Sequence, residues 1–283
     1  MFPTRRLRLT LGLTAAILGL AATGAVARTV TQTARSGSLS ASFSYTPVGT
    51  YSYRHETLTI RDGGAVQYSR PVSSSLCGRY CGPADPGRGG ASIAWEHLAA
   101  TGPQLLLNLY SGGAHCCSIA QVFTRASGAS HWTRSTFDFG DPGYRLVDLN
   151  RDGTDEFLSA DDAFAYAFTD YAASGLPLMI MRWSDGRFVD VTRSYPTRIA
   201  RDAALWMRAF TQQRRSHYAD TTGVIAAWAA DEDELGHSGM VATFLHRAAT
   251  ARQLNSGPGS GMPQNARYVV ALNSFLRRRG YLH

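Results

Sequence analysis

One short segment of the sequence concentrates oxygen-bearing side chains at the spacing of a calcium loop. Residues 148–156 read DLNRDGTDE, which places such side chains at loop positions 1, 3, 5 and 9. Gly153 at position 6 permits a sharp turn, and the carbonyl of Thr154 can face inward at position 7. Hard oxygen ligands that include several carboxylates favour Ca²⁺ over a transition metal. The predicted calcium ligands are therefore Asp148, Asn150, Asp152, Thr154 and Glu156.

This loop differs from an EF-hand. Position 12 is Ser159, and the flanking residues are strand-like where an EF-hand has helices. Asp155 alternates outward in this scheme and is not counted as a ligand. The alternative interpretation is a solvated acidic turn between two strands, with no metal.

With Tyr144 to Val147 before it and Phe157-Leu158 after it, the loop resembles the calcium loops of FG-GAP and VCBS-type repeats. Such repeats build integrin-like β-propeller blades and related secreted proteins. The resemblance implies Ca²⁺ binding by the matching positions, which are Asp148, Asn150, Asp152 and Glu156. Residues 110–117, YSGGAHCC, are similar to a motif in poorly characterised exported bacterial proteins, a similarity that implies no activity.

Four cysteines form a second set of chemically active residues: Cys77, Cys81, Cys116 and Cys117. An even number of cysteines in an exported chain predicts disulfides. A bond between adjacent cysteines would close a strained ring, so the favoured pairing joins residues 77 and 116 and residues 81 and 117, or the reverse. Together with His115, the thiolates also make a chemically reasonable donor set for zinc or copper.

The sequence assigns no catalytic residue. It contains no H-E-x-x-H motif, no G-x-S-x-G elbow and no phosphate-binding loop. The alternative function is an envelope hydrolase with a site near His115, Asp161 and Asp162. Adjacent strand residues point to opposite faces, which weakens the two carboxylates as an acid/base pair.

A nearby aromatic series starts with a period of two: Phe164, Tyr166, Phe168 and Tyr171. This spacing predicts a core face or a cross-strand ladder, and a sugar-binding platform is the alternative.

The elements that must position these residues divide into two parts. Hairpin signals at Gly63-Gly64 and Asp185-Gly186, and the apolar run Leu105 to Tyr110, predict short antiparallel strands. Beyond Pro196, apolar residues recur at helical spacing, and Gly236 and Gly280 are predicted helix ends. The predicted fold class is α+β, with an antiparallel, partial propeller-like or sandwich-like sheet followed by helices. The predicted ranges are 28–194 for the β-rich calcium-loop domain and 195–283 for the helical region.

A faint internal repeat accompanies the calcium loop. Residues 97–105 align with residues 148–157 when one residue is deleted, which pairs Leu98 with Leu149 and Gln104 with Glu156. His97 and Thr101 stand where the first and third acidic residues would be. The alignment predicts a second blade-like turn that has lost its metal ligands, and the alternative interpretation is a coincidental match.

The N-terminus predicts export. Three arginines precede the apolar stretch Leu9 to Leu20, and Ala25-Val26-Ala27 supplies a cleavage pattern, so residues 1–27 are predicted to be a signal peptide. A secreted or periplasmic location follows, with no transmembrane span in the mature chain.

The net charge of +7 does not indicate nucleic-acid binding. Three arginines belong to the predicted signal peptide, acidic residues crowd residues 138–162, and residues 235–283 contain six arginines and no acid. The divided charge suits Ca²⁺ at the acidic centre. The predicted partners are an envelope protein, glycan or lipid surface, which the basic helical tail could contact.

Overall fold

A computed structural model describes residues 28–49, 52–77, 81–84, 91–112, 116–125, 129, 131–215, 220–257 and 259–282. Its N-terminal part consists of antiparallel β-sheets and its C-terminal part contains four α-helices, which confirms the predicted fold class. Within the described residues, no helix has both the length and the apolar character needed to cross a membrane.

The first sheet is an antiparallel meander whose strands follow one another in chain order. Its strands are β1 (Val30–Ser36), β2 (Leu39–Pro47), β3 (Tyr53–Asp62) and β4 (Ala65–Pro71). Alternate residues of β2 and β3 are buried because one face packs on the core and the other faces water. The predicted Gly63-Gly64 turn is confirmed, and both glycines have a positive φ, as a tight hairpin requires.

The second sheet supplies the central layer of the β-rich part. Its strands are β5 (Gly82–Pro83), β6 (Ile93–Glu96), β7 (Gln104–Tyr110), β8 (Ser118–Thr124) and β9 (Thr133–Asp138). The apolar run in β7 is buried on both faces, as predicted. Leu105, Leu107 and Leu109 join the core shared with the first sheet, whereas Leu106 joins the core shared with the third. Three sheets therefore stack face to face around two cores.

The third sheet holds the candidate calcium loop between its first two strands. Its strands are β10 (Arg145–Val147), β11 (Glu156–Ala160), β12 (Leu178–Ser184) and β13 (Arg187–Asp190), again in chain order. The predicted Asp185-Gly186 turn joins β12 to β13. Rings of Phe139, Phe157 and Phe188 pack within 6.0 Å of one another beneath this sheet.

The C-terminal helices enclose a separate core. They are α1 (Pro196–Gln213), α2 (Thr222–Glu234), α3 (Ser238–Thr250) and α4 (Asn265–Arg279). Residues 224–230 of α2 are all buried, so this helix is covered on every side by its neighbours. Gly236 and Gly280 follow helix ends with φ of 81° and 83°, which confirms both predicted ends.

Of the two arrangements predicted for the aromatic series, the core position is confirmed for Phe164 and Phe168, and the cross-strand ladder is wrong. Between β11 and β12 the chain forms a 3-10 turn (Asp162–Phe164) and further turns, with no strand over residues 162–174. Phe164 and Phe168 enter the helical core, while Tyr166 is 53% exposed. The segment is tied to α2 by close packing: a Cβ at Gly223 would collide with the carbonyl oxygen of Ala173. Packing with the helices therefore overrides the local pattern.

Candidate functional site

The candidate calcium loop connects β10 to β11 through a tight turn whose carboxylates accept its own backbone N–H groups. Asp148 accepts hydrogen bonds from the amides of Asp152 and Gly153 at 3.1 and 3.0 Å, one on each carboxylate oxygen. Asn150 Oδ1 also accepts from the Asp152 amide at 3.1 Å. Gly153 has a φ of 87°, a value that favours glycine. These bonds draw the side-chain oxygens toward the inside of the turn.

Asp152 accepts three hydrogen bonds from other residues of the loop. Its Oδ1 accepts from the hydroxyl and the amide of Thr154 at 2.5 and 2.9 Å, and its Oδ2 accepts from Asn150 Nδ2 at 2.8 Å. The Thr154 hydroxyl, followed by the Asn150 amide, lowers the pKa of Asp152 to about 2. The carboxylate is therefore charged at every physiological pH.

Glu156 occupies a different environment from the other predicted ligands, because it is fully buried at the start of β11. Its Oε1 lies 2.6 Å from Arg182 Nη2 and its Oε2 accepts from the Leu149 amide at 3.0 Å. The same guanidinium nitrogen lies 3.6 Å from Asp152 Oδ2. Arg182 thus places a fixed positive charge against the middle of the loop, at Asp152, and against its last residue, Glu156.

Sequence reasoning missed Arg182. The signal available was its position as the one charged residue in the strand Leu178–Ser184, which is otherwise apolar up to its last residue. Such a residue requires a partner when its strand is packed against a core. Glu156 on the neighbouring strand β11 is that partner.

The residues of the loop fit a hard cation in type, and four of them remain able to bind one. Each oxygen of Asp148 and Asn150 has spare acceptor capacity after the hydrogen bonds described above, and Asp152 and the Thr154 carbonyl extend the set. Glu156 differs from these residues because its Oε1 accepts from two nitrogens of Arg182 and its whole side chain is buried. Among the described residues, no group of three or more His, Cys, Asp or Glu side chains converges as a metal site. Calcium binding therefore stays a prediction.

The internal repeat predicted from the sequence has a structural counterpart. Gln104 Oε1, at the start of β7, accepts from the amides of Leu98 and Ala99 at 2.9 and 3.0 Å. Glu156, at the start of β11, accepts from the Leu149 amide in the same way. Both acceptors are buried and both close a glycine-containing turn that leads into a central strand. Gln104 thus closes its turn with a neutral amide, whereas the other turn is closed by the Glu156 carboxylate, which is paired with Arg182.

The two turns also touch each other. The Asp155 amide donates to the carbonyl of His97 at 2.8 Å. Burial, and then the charge of Asp148, raise the pKa of Asp155. Burial, and then the charge of Asp155, likewise raise the pKa of Glu96. The acidic centre predicted from the sequence thus includes a carboxylate from the second sheet.

The cysteines are paired differently in the structure from the pairing predicted. The structure joins Cys77 to Cys81 and Cys116 to Cys117, so each cysteine pairs within its own segment and no bond crosses between the segments. The 3-10 turn Ser75–Cys77 brings the Cα atoms of Cys77 and Cys81 to 5.0 Å, within the usual range for a disulfide. All four side chains do meet, however, at the core between the first two sheets. Because all four are paired, the described residues offer no free thiolate to zinc or copper.

The residues of the alternative hydrolase site are not brought into one acid/base pair. Asp161 contacts Arg279 Nη2 at 3.1 Å and accepts from the Tyr281 hydroxyl at 3.0 Å, which ties it to the C-terminal helix. Asp162 instead lies against Gly140 and accepts from the Asp141 amide at 3.4 Å. His115 lies outside the described residues.

Comparison with known proteins finds two partial relatives. The chain is 30% identical to the uncharacterized protein y4bJ of Sinorhizobium fredii over 156 residues, which are 54% of this chain and 24% of that protein. It is 34% identical to the "Probable thylakoid lumen protein sll0997" of Synechocystis over 136 residues, which are 47% of this chain and 40% of that protein. The chain thus spans less than half the length of each of these curated relatives.

No family model matches the chain, and no solved structure matches it. The comparisons lend no support to the resemblance to FG-GAP repeats or to the YSGGAHCC motif.

Proposed function

We propose that the protein is an exported, disulfide-stabilised β module whose loop at residues 148–156 binds Ca²⁺, with a binding or structural role in the cell envelope. The observation that carries the proposal is the arrangement of this loop. Its backbone amides gather the oxygens of Asp148, Asn150 and Asp152 within one tight turn, and negative charge exceeds positive charge there.

Export is supported by three independent features. The first is the signal-peptide pattern of residues 1–27. The second is the pairing of all four cysteines, because disulfides persist in oxidising compartments outside the cytoplasm. The third is the similarity to a relative named as a probable lumenal protein.

Bound Ca²⁺ would stabilise the loop that connects strands β10 and β11. Asp148, Asn150, Asp152 and the Thr154 carbonyl would hold the ion, which would supply a compact double positive charge to balance the acidic turn. Arg182 already neutralises Glu156, and the side chain of Glu156 is fully buried, so the proposed ligand set leaves this carboxylate out. The proposed role of Ca²⁺ is structural.

The envelope role is supported by the charge of the last two helices. Residues 235–283 contain six arginines and no acid, and Arg267, Val270 and Arg278 of α4 are exposed. Arg279 pairs with Asp161, but the exposed Arg267 and Arg278 add positive charge to a segment that contains no acid, and such a surface suits an anionic envelope surface.

Thermal unfolding with and without Ca²⁺ tests the metal proposal. At a Ca²⁺ concentration about 100 times the dissociation constant, binding stabilises the fold by about 2.7 kcal/mol, which corresponds to a Tm rise of about 5–10 °C. Asp152→Asn should abolish the rise. Asp185→Asn is the matched control, because Asp185 also precedes a turn glycine in the same sheet but lies outside the loop. A wild-type Tm that does not change with Ca²⁺, or loss of the Ca²⁺-dependent rise in Tm in both variants, would contradict the proposal.

N-terminal analysis of protein secreted by a bacterial host tests export. The expected mature chain begins at Arg28. An uncleaved chain retained in the cytoplasm, with four alkylatable thiols, would contradict this part of the proposal.

A further inference from the structure

A second candidate site lies in the helical part, away from the calcium loop. A cleft of about 710 Å³ opens between the segment that follows β11, the start of α2 and the glycine-rich connection after α3. Its size falls within the range of ligand-binding sites. Its polar and aromatic lining includes Tyr166, Thr169, Asp170, Gln213, Asp220 and Ser256.

Tyr166, at the edge of this cleft, has an unusual backbone conformation and an exposed side chain. Its φ of 59° is rare for a bulky residue, and its side chain is 53% exposed although the neighbouring Phe164 and Phe168 are buried. The backbone is fixed there by a hydrogen bond from the Tyr166 amide to Ser174 Oγ at 3.1 Å. The ring centroid lies 5.5 Å from that of Tyr171. The fold thus keeps a large aromatic surface at the mouth of a polar cleft.

The opposite wall supplies hydrogen-bonding groups of mixed type. Asp220 accepts from the Thr169 hydroxyl and, at 3.4 Å, from the Thr222 hydroxyl. Burial, and secondarily the nearby charge of Asp170, raise the pKa of Asp220. Gln213 Oε1 is buried and has no hydrogen-bond partner among the described residues. A buried oxygen that accepts no hydrogen bond favours the binding of a ligand that carries a hydrogen-bond donor.

The composition of the lining selects among ligand classes. None of the described lining residues is basic, so an anion is disfavoured. An organic cation is the alternative ligand, because it would donate to the carboxylates of Asp170 and Asp220. The hydroxyl groups of a sugar both donate and accept, and the apolar face of a sugar ring can pack on an exposed aromatic ring.

We propose that this cleft binds a short, uncharged saccharide, with Tyr166 as the aromatic platform and Asp170, Gln213, Asp220 and Ser256 as partners of the sugar hydroxyls. The inference names a ligand class for the envelope-binding role proposed above and rests on that role. A sugar-binding platform was the alternative interpretation of the aromatic series, and this proposal assigns that role to Tyr166, which is exposed in the structure.

Isothermal titration of the purified chain with tetramers of N-acetylglucosamine and of glucose tests this proposal. We expect one site per chain for at least one tetramer. Tyr166→Asn should weaken binding about tenfold, which is the loss expected for an aromatic contact. Asparagine is chosen because it tolerates the left-handed backbone, so the variant should keep the fold.

Two controls and a competing probe make the outcome decisive. Tyr166→Phe keeps the ring and should bind as the wild type does, and Leu205→Ala changes an equally exposed side chain on α1 and should also have no effect. Absence of saccharide binding, unchanged binding by Tyr166→Asn, or binding of choline in place of both tetramers would overturn the proposal. Titrations in EDTA keep this result separate from that of the calcium loop, because cleft and loop share no residue.

Discussion

The buried carboxyl group of Asp231 predicts an unusual dependence of stability on pH. Asp231 lies in α2 with 1% of its surface exposed, and neither of its oxygens receives a hydrogen bond from a described side chain. Asp202 on α1 faces it and accepts from the Leu178 amide and the Trp206 indole at 3.1 and 2.9 Å. Burial, and then the charge of Asp202, raise the pKa of Asp231 to about 10. The folded protein therefore holds a proton there at neutral pH.

The sign and size of the effect follow from linkage. The unfolded chain releases this proton above a pKa of 3.8, whereas the folded chain keeps it up to a pKa of about 10, so stability falls as pH rises between those values. Each pH unit in that window costs about 1.4 kcal/mol, which amounts to about 4 kcal/mol at pH 7. Asp231→Asn removes the need for the proton, while its amide can still donate to Asp202.

Urea unfolding of the wild type and Asp231→Asn from pH 5 to pH 9, followed by tryptophan fluorescence, measures this effect. The variant should be more stable at pH 8, and the difference should grow by about 1.4 kcal/mol per pH unit. Asp185→Asn, in an exposed turn, should show the same pH dependence of the free energy of unfolding as the wild type. Parallel pH profiles for the wild type and Asp231→Asn would refute the reasoning, as would a variant that is less stable at every pH.

Three further predictions concern the β-rich part. In urea unfolding, Gly140→Ala should destabilise the fold by about 2 kcal/mol more than Gly37→Ala. Both glycines have a positive φ, but a Cβ at Gly140 would collide with Asp162, whereas a Cβ at Gly37 would meet no atom. Equal losses in the two variants would contradict this prediction. Arg182→Gln should cost about 3 kcal/mol by leaving the Glu156 carboxylate buried without its partner, and adding Glu156→Gln should recover much of the loss; a further loss in the double variant would count against the ion pair. Non-reducing peptide mapping should find the disulfides Cys77–Cys81 and Cys116–Cys117, each within its own segment, and a peptide linking the two segments would restore the pairing predicted from the sequence.

Elements with a strong local signal could be predicted from the sequence. The turns at Gly63-Gly64 and Asp185-Gly186 lie where two-residue hairpins demand them, and the apolar run Leu105 to Tyr110 forms a strand buried on both faces. The helical spacing of the apolar residues after Pro196 likewise predicted α1. In each case the deciding chemistry lies within a few neighbouring residues.

Features that depend on distant partners could not be predicted. Strand β1 reads VTQTARS and is mostly exposed, so only its pairing with β2 defines it. The role of Arg182 depends on Glu156, which lies on another strand. The disulfide pairing depends on where the fold places the four cysteines in space, and their spacing in the sequence leaves that open. The oxygen-rich loop was recognisable, but which of its oxygens remain available to a cation was not.

Direct titration of the purified chain with Ca²⁺ tests the central claim, that the loop at residues 148–156 is a calcium site. We expect one Ca²⁺ bound per chain, no binding by Asp152→Asn, and unchanged binding by Asp185→Asn. Absence of binding at millimolar Ca²⁺, or full binding by Asp152→Asn, would contradict the claim and leave the loop as an acidic turn held by its own amides and by Arg182.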